Sequence, residues 1–294
     1  MHEVFILIAL GLVGVTFGSF AGATVWRLRA SQLRQDEAAG EKVSKRAKKE
    51  VGHVKKASVA TDRSVCLHCG HQLAWYDLLP LFSWLQLGGK CRYCHKPIGW
   101  LEPSIEIGMA LFFVVAYLFW PLPLDTGLDV VRLALWLITG VGLGILTVYD
   151  AKWFLLPNRV VFTLIGIGII NSLVVLTQHN FGLDTWMNIL YSYAILSGLY
   201  YIIYIVSNRQ WIGFGDVKLG IVLALMLADW RLALLSLFLA NLIGAVVILP
   251  LLLSGRVQRQ AHIPFGPFLI AGWFFAGLFG NQIITWYLSL TLGL

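Results

Sequence analysis

Charge is scarce in this chain, and where it is missing says most about the protein. Of 294 residues only 13% are charged and 58% are hydrophobic, against roughly 25% and 45–50% in a soluble globular chain. That balance excludes an ordinary water-soluble domain and points to lipid as the main solvent. Residues 4–26 hold no charge over 23 positions, enough to cross about 30 Å of hydrocarbon as a helix. Lys and Arg are absent from Met1, His2 and Glu3 but follow the block as Arg27 and Arg29. A secretory signal peptide has the opposite arrangement, so the block is expected to remain as a membrane helix. Cysteine is equally sparse: there are four, and none lies outside residues 66–94.

Further uncharged stretches cover residues 107–124, 133–149, 160–176, 186–206, 232–253 and everything from 263 onward. One more, 212–228, is apolar but interrupted by Asp216 and Lys218. With the first block these predict an all-α polytopic membrane protein of about eight transmembrane helices. The formal net charge of +7 could suggest nucleic acid, but 14 of the 22 Lys and Arg fall between residues 27 and 101, against six Asp and Glu. Positive residues collect in cytoplasmic loops. The expected inner loops 150–159, 207–215 and 254–262 also hold Lys152, Arg159, Arg209, Arg256 and Arg259. The expected outer loops, 121–129, 177–185 and 229–231, are nearly free of positive charge, with Arg132 and Arg231 as exceptions. The basicity therefore reads as topology in a cytoplasmic (inner) membrane, with no nucleic acid partner and both termini outside.

The chain is expected to organise as an N-terminal region, 1–127, and a six-helix membrane block, 128–294. The first region holds helix 1, a long polar insertion and helix 2. Within the insertion, residues 31–61 are rich in Lys, Glu, Ala and Gln, with almost no large apolar residues. Such a stretch is expected to be a solvated helix or linker without a core. Lys45, Arg46, Lys48, Lys49, Lys55 and Lys56 offer contact with anionic membrane lipid as the other reading. After Asp62 the composition turns aromatic, and Trp75 to Leu85, broken by Pro80, reads as a packed or interfacial piece of a small domain.

That small domain, 62–101, carries Cys66-Leu67-His68-Cys69 and Cys91-Arg92-Tyr93-Cys94. Each C-x-x-C turn presents two thiolates, and Cys66, Cys69, Cys91 and Cys94 together complete a tetrahedron around Zn²⁺. Four sulfurs leave no position for water, so the site is structural. A pair of disulfides is the alternative, and a cytoplasmic location, which keeps thiols reduced, disfavours it.

Two aspartates stand at the ends of apolar helices, Asp150 after Leu146-Thr147-Val148-Tyr149 and Asp216 in Gly213-Phe214-Gly215-Asp216. A carboxylate near hydrocarbon is costly and normally faces a cavity or a partner. Two that face one another share a proton, and such a pair can activate water, one group taking a proton and the other donating to a carbonyl. On residue chemistry alone an ion or proton pathway and plain solvated helix ends remain open.

Gly213-Phe214-Gly215-Asp216 matches the GxGD signature of intramembrane aspartyl proteases, and Tyr149-Asp150 looks like its companion. Together with the four-cysteine insertion, the chain resembles the type IV prepilin leader peptidase/N-methyltransferase family. The likeness includes Gly18-Ser19-Phe20, Leu79-Pro80-Leu81, Pro103 and Glu106, Leu155-Leu156-Pro157, and Ile263-Pro264-Phe265-Gly266-Pro267. Gly22 stands where such enzymes usually carry Asn, and Asn158 where they often carry Asp. The resemblance implies Asp150 and Asp216 as the catalytic pair and prepilin or pseudopilin substrates whose basic leader is cut at the cytoplasmic face. It also implies methylation of the new N-terminus with S-adenosylmethionine. Glu106 is the expected carboxylate for that second reaction, holding the methyl donor or the substrate amine; a helix-start role through the macrodipole is its alternative.

Overall fold

The structure, a computed structural model, describes residues 2–51, 54, 64–255 and 263–292. Lys55, Lys56, Arg256 and Arg259 lie outside them. Every long element among the described residues is a helix, and β pairing is limited to two isolated bridges. The chain divides into two compact units, Met1–Val115 and Ala116–Leu294.

The first unit opens with α1 (His2–Ala38), 37 residues long. At 1.5 Å per residue it measures roughly 55 Å, well beyond the hydrocarbon thickness. It runs past the uncharged block because residues 27–38 contain no Gly or Pro and are mostly good helix formers. It meets α4 (Leu101–Leu118) through Gly14 and Gly18, one helical turn apart. A Cβ on Gly18 would sit 2.5 Å from Glu106 Cα, and one on Gly14 2.7 Å from Met109 O. Small residues four apart let two membrane helices touch backbone to backbone, and here that contact fixes where Glu106 stands against α1.

The charged stretch departs from expectation. Its helix α2 (Lys45–Val51) folds back on the end of α1 and buries Val51 against Ala30 and Leu33, with Trp26, Val43, Ala47 and Val54 around them. Lys48 bridges Glu37 at 2.5 Å. The apolar residues are few and mostly small, but their spacing of three to four puts them on facing helix stripes, so a short two-helix core forms.

Further on, α3 (Phe82–Gln86) and a 3-10 turn, Trp75–Leu78, lie between the two cysteine knuckles. Asp77 ties these pieces together: it accepts from Arg92 Nε at 2.7 Å, Tyr93 Oη at 3.0 Å and the Ala74 N–H at 3.1 Å. Burial works against its charge, yet these three donors hold its carboxyl below the usual carboxylate range. Trp84 packs against Trp100, the rings tilted at 56° with centroids 4.5 Å apart, and donates its indole N–H to Gly99 O at 3.0 Å.

The second unit contains α5 (Gly127–Trp153), α6 (Asn158–Gln178), α7 (Leu183–Tyr193), α8 (Leu199–Val206), α9 (Phe214–Leu227), α10 (Trp230–Leu253) and α11 (Gly266–Leu292). A π turn, Ala194–Gly198, joins α7 to α8 as one continuous run. Seven helices among the described residues are long and apolar enough to cross a membrane: α1, α4, α5, α6, the α7–α8 run, α10 and α11. The chain is a multi-pass membrane protein. The eighth expected span, 212–228, is α9, a helix of only 14 residues, or roughly 21 Å. It is apolar on all faces because it is packed on all faces: Val217, Leu219, Gly220, Val222, Leu223, Ala224, Met226 and Leu227 are buried. Its last carbonyls, which have no partner within the helix, accept from α6: Asn171 Nδ2 reaches Leu225 O at 3.0 Å and Met226 O at 3.1 Å, and Ser172 Oγ reaches Leu225 O at 3.1 Å. The final helix starts at Gly266, after a non-helical Ile263-Pro264-Phe265, since Pro264 disfavours a helical conformation at the residue before it and lacks the N–H a helix interior needs.

Candidate functional site

The structure brings Asp150 and Asp216 into one place in the second unit. Asp150 lies in the last turn of α5, which closes with Phe154 in the left-handed region at φ 56° and the Phe154 N–H on Asp150 O at 2.8 Å. Its side chain is 6% exposed. Its Oδ2 accepts the backbone N–H of Gly266 at 3.0 Å, from the first residue of α11. A Cβ at Gly266 would sit 2.7 Å from that same oxygen, so only glycine lets the N–H come this close.

Asp216 stands in the first turn of α9, with Gly213 as the extended N-cap and the Asp216 N–H on Gly213 O at 3.1 Å. That position is electrostatically suited to an anion, because free N–H groups and the helix dipole point at it. A Cβ on Gly215 would meet Leu156 Cδ1 at 3.1 Å. The glycine lets the start of α9 settle against the Leu155-Leu156-Pro157 turn that follows Asp150. Asp216 is near enough to Asp150 for that charge to act on it. Lys218 turns away from the pair. It bonds Asn158 at the start of α6 and lies over the rings of Phe214 and Phe162, 5.4 and 5.9 Å from their centroids. It ties α9 to α6.

In the first unit the four cysteines converge, their sulfurs all within 4.8 Å of one another. Cys66 Sγ lies 3.9 Å from Cys94 Sγ, close to the edge of roughly 3.8 Å that a tetrahedron with 2.3 Å Zn–S bonds requires. The two knuckles share one backbone pattern. Cys66 N–H donates to His71 O and Gly70 N–H to Cys66 O; Cys91 N–H donates to Lys96 O and His95 N–H to Cys91 O, all at 2.9 Å. Gly70 at φ 70° and His95 at φ 55° hold the equivalent left-handed position. Burial pushes the Cys66 thiol up to about 12, so a divalent cation is what would draw off its proton at neutral pH. The donor set fits a metal.

A cavity of about 510 Å³ opens in the same unit, lined among others by Ser19, Trp26, Cys66, Trp84, Glu102 and Glu106. Glu106 is buried at 8% exposure, and its Oε2 accepts the Leu81 N–H at 2.8 Å. Leu81 delivers that N–H from a left-handed conformation, φ 57°, which a branched side chain adopts only under constraint. Glu102 Oε1 accepts from Trp26 Nε1 at 3.1 Å, while its buried Oε2 closes no hydrogen bond. A volume in the range of small-molecule sites, roughly 300–1,000 Å³, with carboxylates in its wall, fits a cationic ligand of the size of S-adenosylmethionine.

Residues 12–120 match the bacterial peptidase A24 N-terminal domain, and residues 137–249 match the type IV leader peptidase family. The chain is similar to proteins named prepilin leader peptidase/N-methyltransferase. It is 30% identical to that of Pseudomonas aeruginosa over 98% of this chain and 95% of the relative. The identity is 31% for Aeromonas salmonicida over 96% and 93%, and 30% for Bacillus subtilis over 80% and 89%. The chain belongs to the type IV leader peptidase family. No solved structure matches it. The family's N-terminal match contains the cysteines and Glu106, and the second match contains both aspartates.

Three features of these sites carry no signal in the sequence. Glu102 Oε2 is buried without a partner while the Trp26 indole bonds the other oxygen. The repeated knuckle pattern is hidden by His95 standing where the first knuckle has glycine. Tyr200, which lies beside Asp216, sits among Tyr201 and Tyr204 in an unbroken apolar run, with nothing to single it out.

Proposed function

We propose that this enzyme hydrolyses the leader of prepilin-like substrates at Asp150 and Asp216 and methylates the new N-terminus with S-adenosylmethionine in residues 1–127. Residues 128–294 hold the peptidase. The observation that carries the first reaction is the convergence of two helix-end carboxylates in an apolar shell, one of them fixed by the Gly266 N–H. In this reading the pair shares one proton. The ionised carboxylate takes a proton from water as the water oxygen bonds to the scissile carbonyl carbon, and the protonated one donates to the carbonyl oxygen. Collapse then breaks the C–N bond, and the leaving nitrogen takes a proton from the pair. Glycines at 213, 215 and 266 leave room for an extended substrate backbone.

For the second reaction, bound S-adenosylmethionine supplies an electrophilic methyl group. Glu106, fixed by Leu81, is the carboxylate that accepts the proton leaving the substrate amine, and the cavity wall excludes bulk water. Cys66, Cys69, Cys91 and Cys94 hold a structural Zn²⁺, which supplies folding energy to an insertion with little core. The positive residues of the insertion support a cytoplasmic location for it at the inner membrane, and Lys152, Arg159 and Arg209 support the same side for the ends of α5 and α9. Membrane lipid surrounds the helices.

The test uses purified protein, a leader-bearing prepilin peptide, the same peptide already trimmed, and labelled S-adenosylmethionine. Wild type should cut the first and label the second. Asp216→Asn should label the trimmed peptide but not cut, and Glu106→Gln should cut but not label. Cleavage by Asp216→Asn removes that residue from the mechanism, and labelling by Glu106→Gln makes the glutamate structural. A reporter fused after Arg34 should read cytoplasmic; an external reading overturns the orientation.

A further inference from the structure

Tyr200 is a buried polar residue beside Asp216 that the mechanism above does not use. It lies in α8, just past the π turn Ala194–Gly198. A π turn inserts an extra residue, so it re-aims every side chain that follows, and such turns are frequent at functional sites. The re-aimed segment is fastened to α9. Ser192 Oγ donates to Ala224 O at 3.0 Å and Ser197 Oγ to Val217 O at 3.1 Å. The Leu196 carbonyl presses on Gly220, where a Cβ has no room. Ser197 and Tyr200 are three residues apart and share a helix face, and Val217 follows Asp216. Tyr200 is thereby held next to Asp216, close enough for that charge to act on its hydroxyl.

The ring is 3% exposed and meets Phe265 edge-on, with centroids 6.0 Å apart. Phe265 precedes Gly266, whose N–H holds Asp150. The tyrosine thus lies beside Asp216 and against the residue that precedes Gly266. Its hydroxyl closes no hydrogen bond of normal geometry. Asn241 is a polar side chain in reach, and one of its two amide N–H groups is given to Leu237 O at 2.8 Å. A buried hydroxyl without a partner is costly, and a ligand that completes it is a physical reason for keeping one.

We propose that the Tyr200 hydroxyl donates a hydrogen bond to the peptide substrate, at the carbonyl oxygen that becomes anionic when water attacks. This rests on Asp150 and Asp216 being the acid–base pair. A donor aimed at that oxygen stabilises the transition state more than the bound substrate.

The experiment compares wild type with Tyr200→Phe, which keeps the ring and loses the hydroxyl, and with Tyr201→Phe, whose residue is 48% exposed. Asp150→Asn and Asp216→Asn run alongside, all on a leader-bearing peptide. Tyr200→Phe should lower kcat by about 10²-fold, as removal of an oxyanion donor does, with KM and thermal unfolding close to wild type and Tyr201→Phe unaffected. The loss should be the same at every pH. Wild-type kcat in Tyr200→Phe overturns the proposal, whatever a truncation to alanine does. So does a displaced pH profile with an undiminished maximum, because the hydroxyl would then act only by tuning Asp216. If either Asp→Asn variant still cleaves, the carboxylate reading itself falls. If both are inactive and Tyr200→Phe is not impaired, only the tyrosine inference falls.

Discussion

At the carboxylate site, backbone is brought to side chains by removing atoms. Gly266 comes within 3.0 Å of Asp150 and Gly215 lets α9 lie against Leu156. In the cysteine insertion, side chains are brought to one another across turns. Four sulfurs and one carboxylate, Asp77, organise a segment in which Cys66, Gly89 and Cys91 are the only buried residues between residues 64 and 100. The first region draws its precision from packing, which tolerates no added methyl group. The second lacks the apolar area to do that and relies on strong polar attachments. The two should therefore fail in different ways.

The sharpest break of this comparison is chemical. Asp150→Asn keeps an oxygen for the Gly266 N–H but removes the acid–base group, so cleavage should fall by about 10³-fold or more. Its melting temperature should stay near wild type and methylation of a trimmed peptide should be intact. Loss of both activities would mean that the units are not independent.

A purely geometric break comes next. Gly266→Ala places a methyl where Asp150 Oδ2 now lies, and a displacement on the ångström scale costs about 10²-fold in rate. Gly166→Ala, where nothing lies within 4 Å, is the control and should cleave like wild type. Steady-state cleavage rates of the two variants decide it, and equal rates would show that the close approach is not needed.

Metal removal tests the other region. Chelation, or Cys66→Ser with Cys69→Ser, should release one zinc per chain and raise hydrogen exchange across residues 64–100. The amides of α9 should stay protected. Full protection of the insertion in metal-free protein would show that it stands on its own core.

The smallest effect belongs to Asp77→Asn, which should raise exchange in the same insertion severalfold at pH 7 with the metal still bound. The folded carboxyl is held below its unfolded value of about 3.9, so the folded state binds fewer protons than the unfolded one. Its contribution is complete above that pH and is lost as pH falls through the lower folded value. Wild type and Asp77→Asn should accordingly converge in acid. A difference that grows on acidification would assign the effect to packing instead.

Much of this protein is legible in one dimension because its solvent is lipid. A missing charge costs nothing in hydrocarbon and a present one costs a great deal, so residues 4–26 or 232–253 announce themselves, and Asp150 and Asp216 stand out as exceptions. Paired C-x-x-C turns are legible for a similar reason, since the spacing is one that tetrahedral coordination by four thiolates requires. Residues 31–61 were harder: a core of Ala30, Leu33, Ala47 and Val51 is too small to register against twelve surrounding charges.

The sequence alone determined which segments enter the membrane and which residue types carry the chemistry, because both follow from the solvation of single groups. Tertiary structure alone decided how those groups meet. That α9 is short and enclosed, that Gly14 and Gly18 set α1 against Glu106, that Gly266 points its N–H at Asp150, and that a π turn swings Tyr200 beside Asp216 all depend on close approach between elements distant in sequence. Van der Waals exclusion acts on those pairs at ångström range, and no local pattern records it.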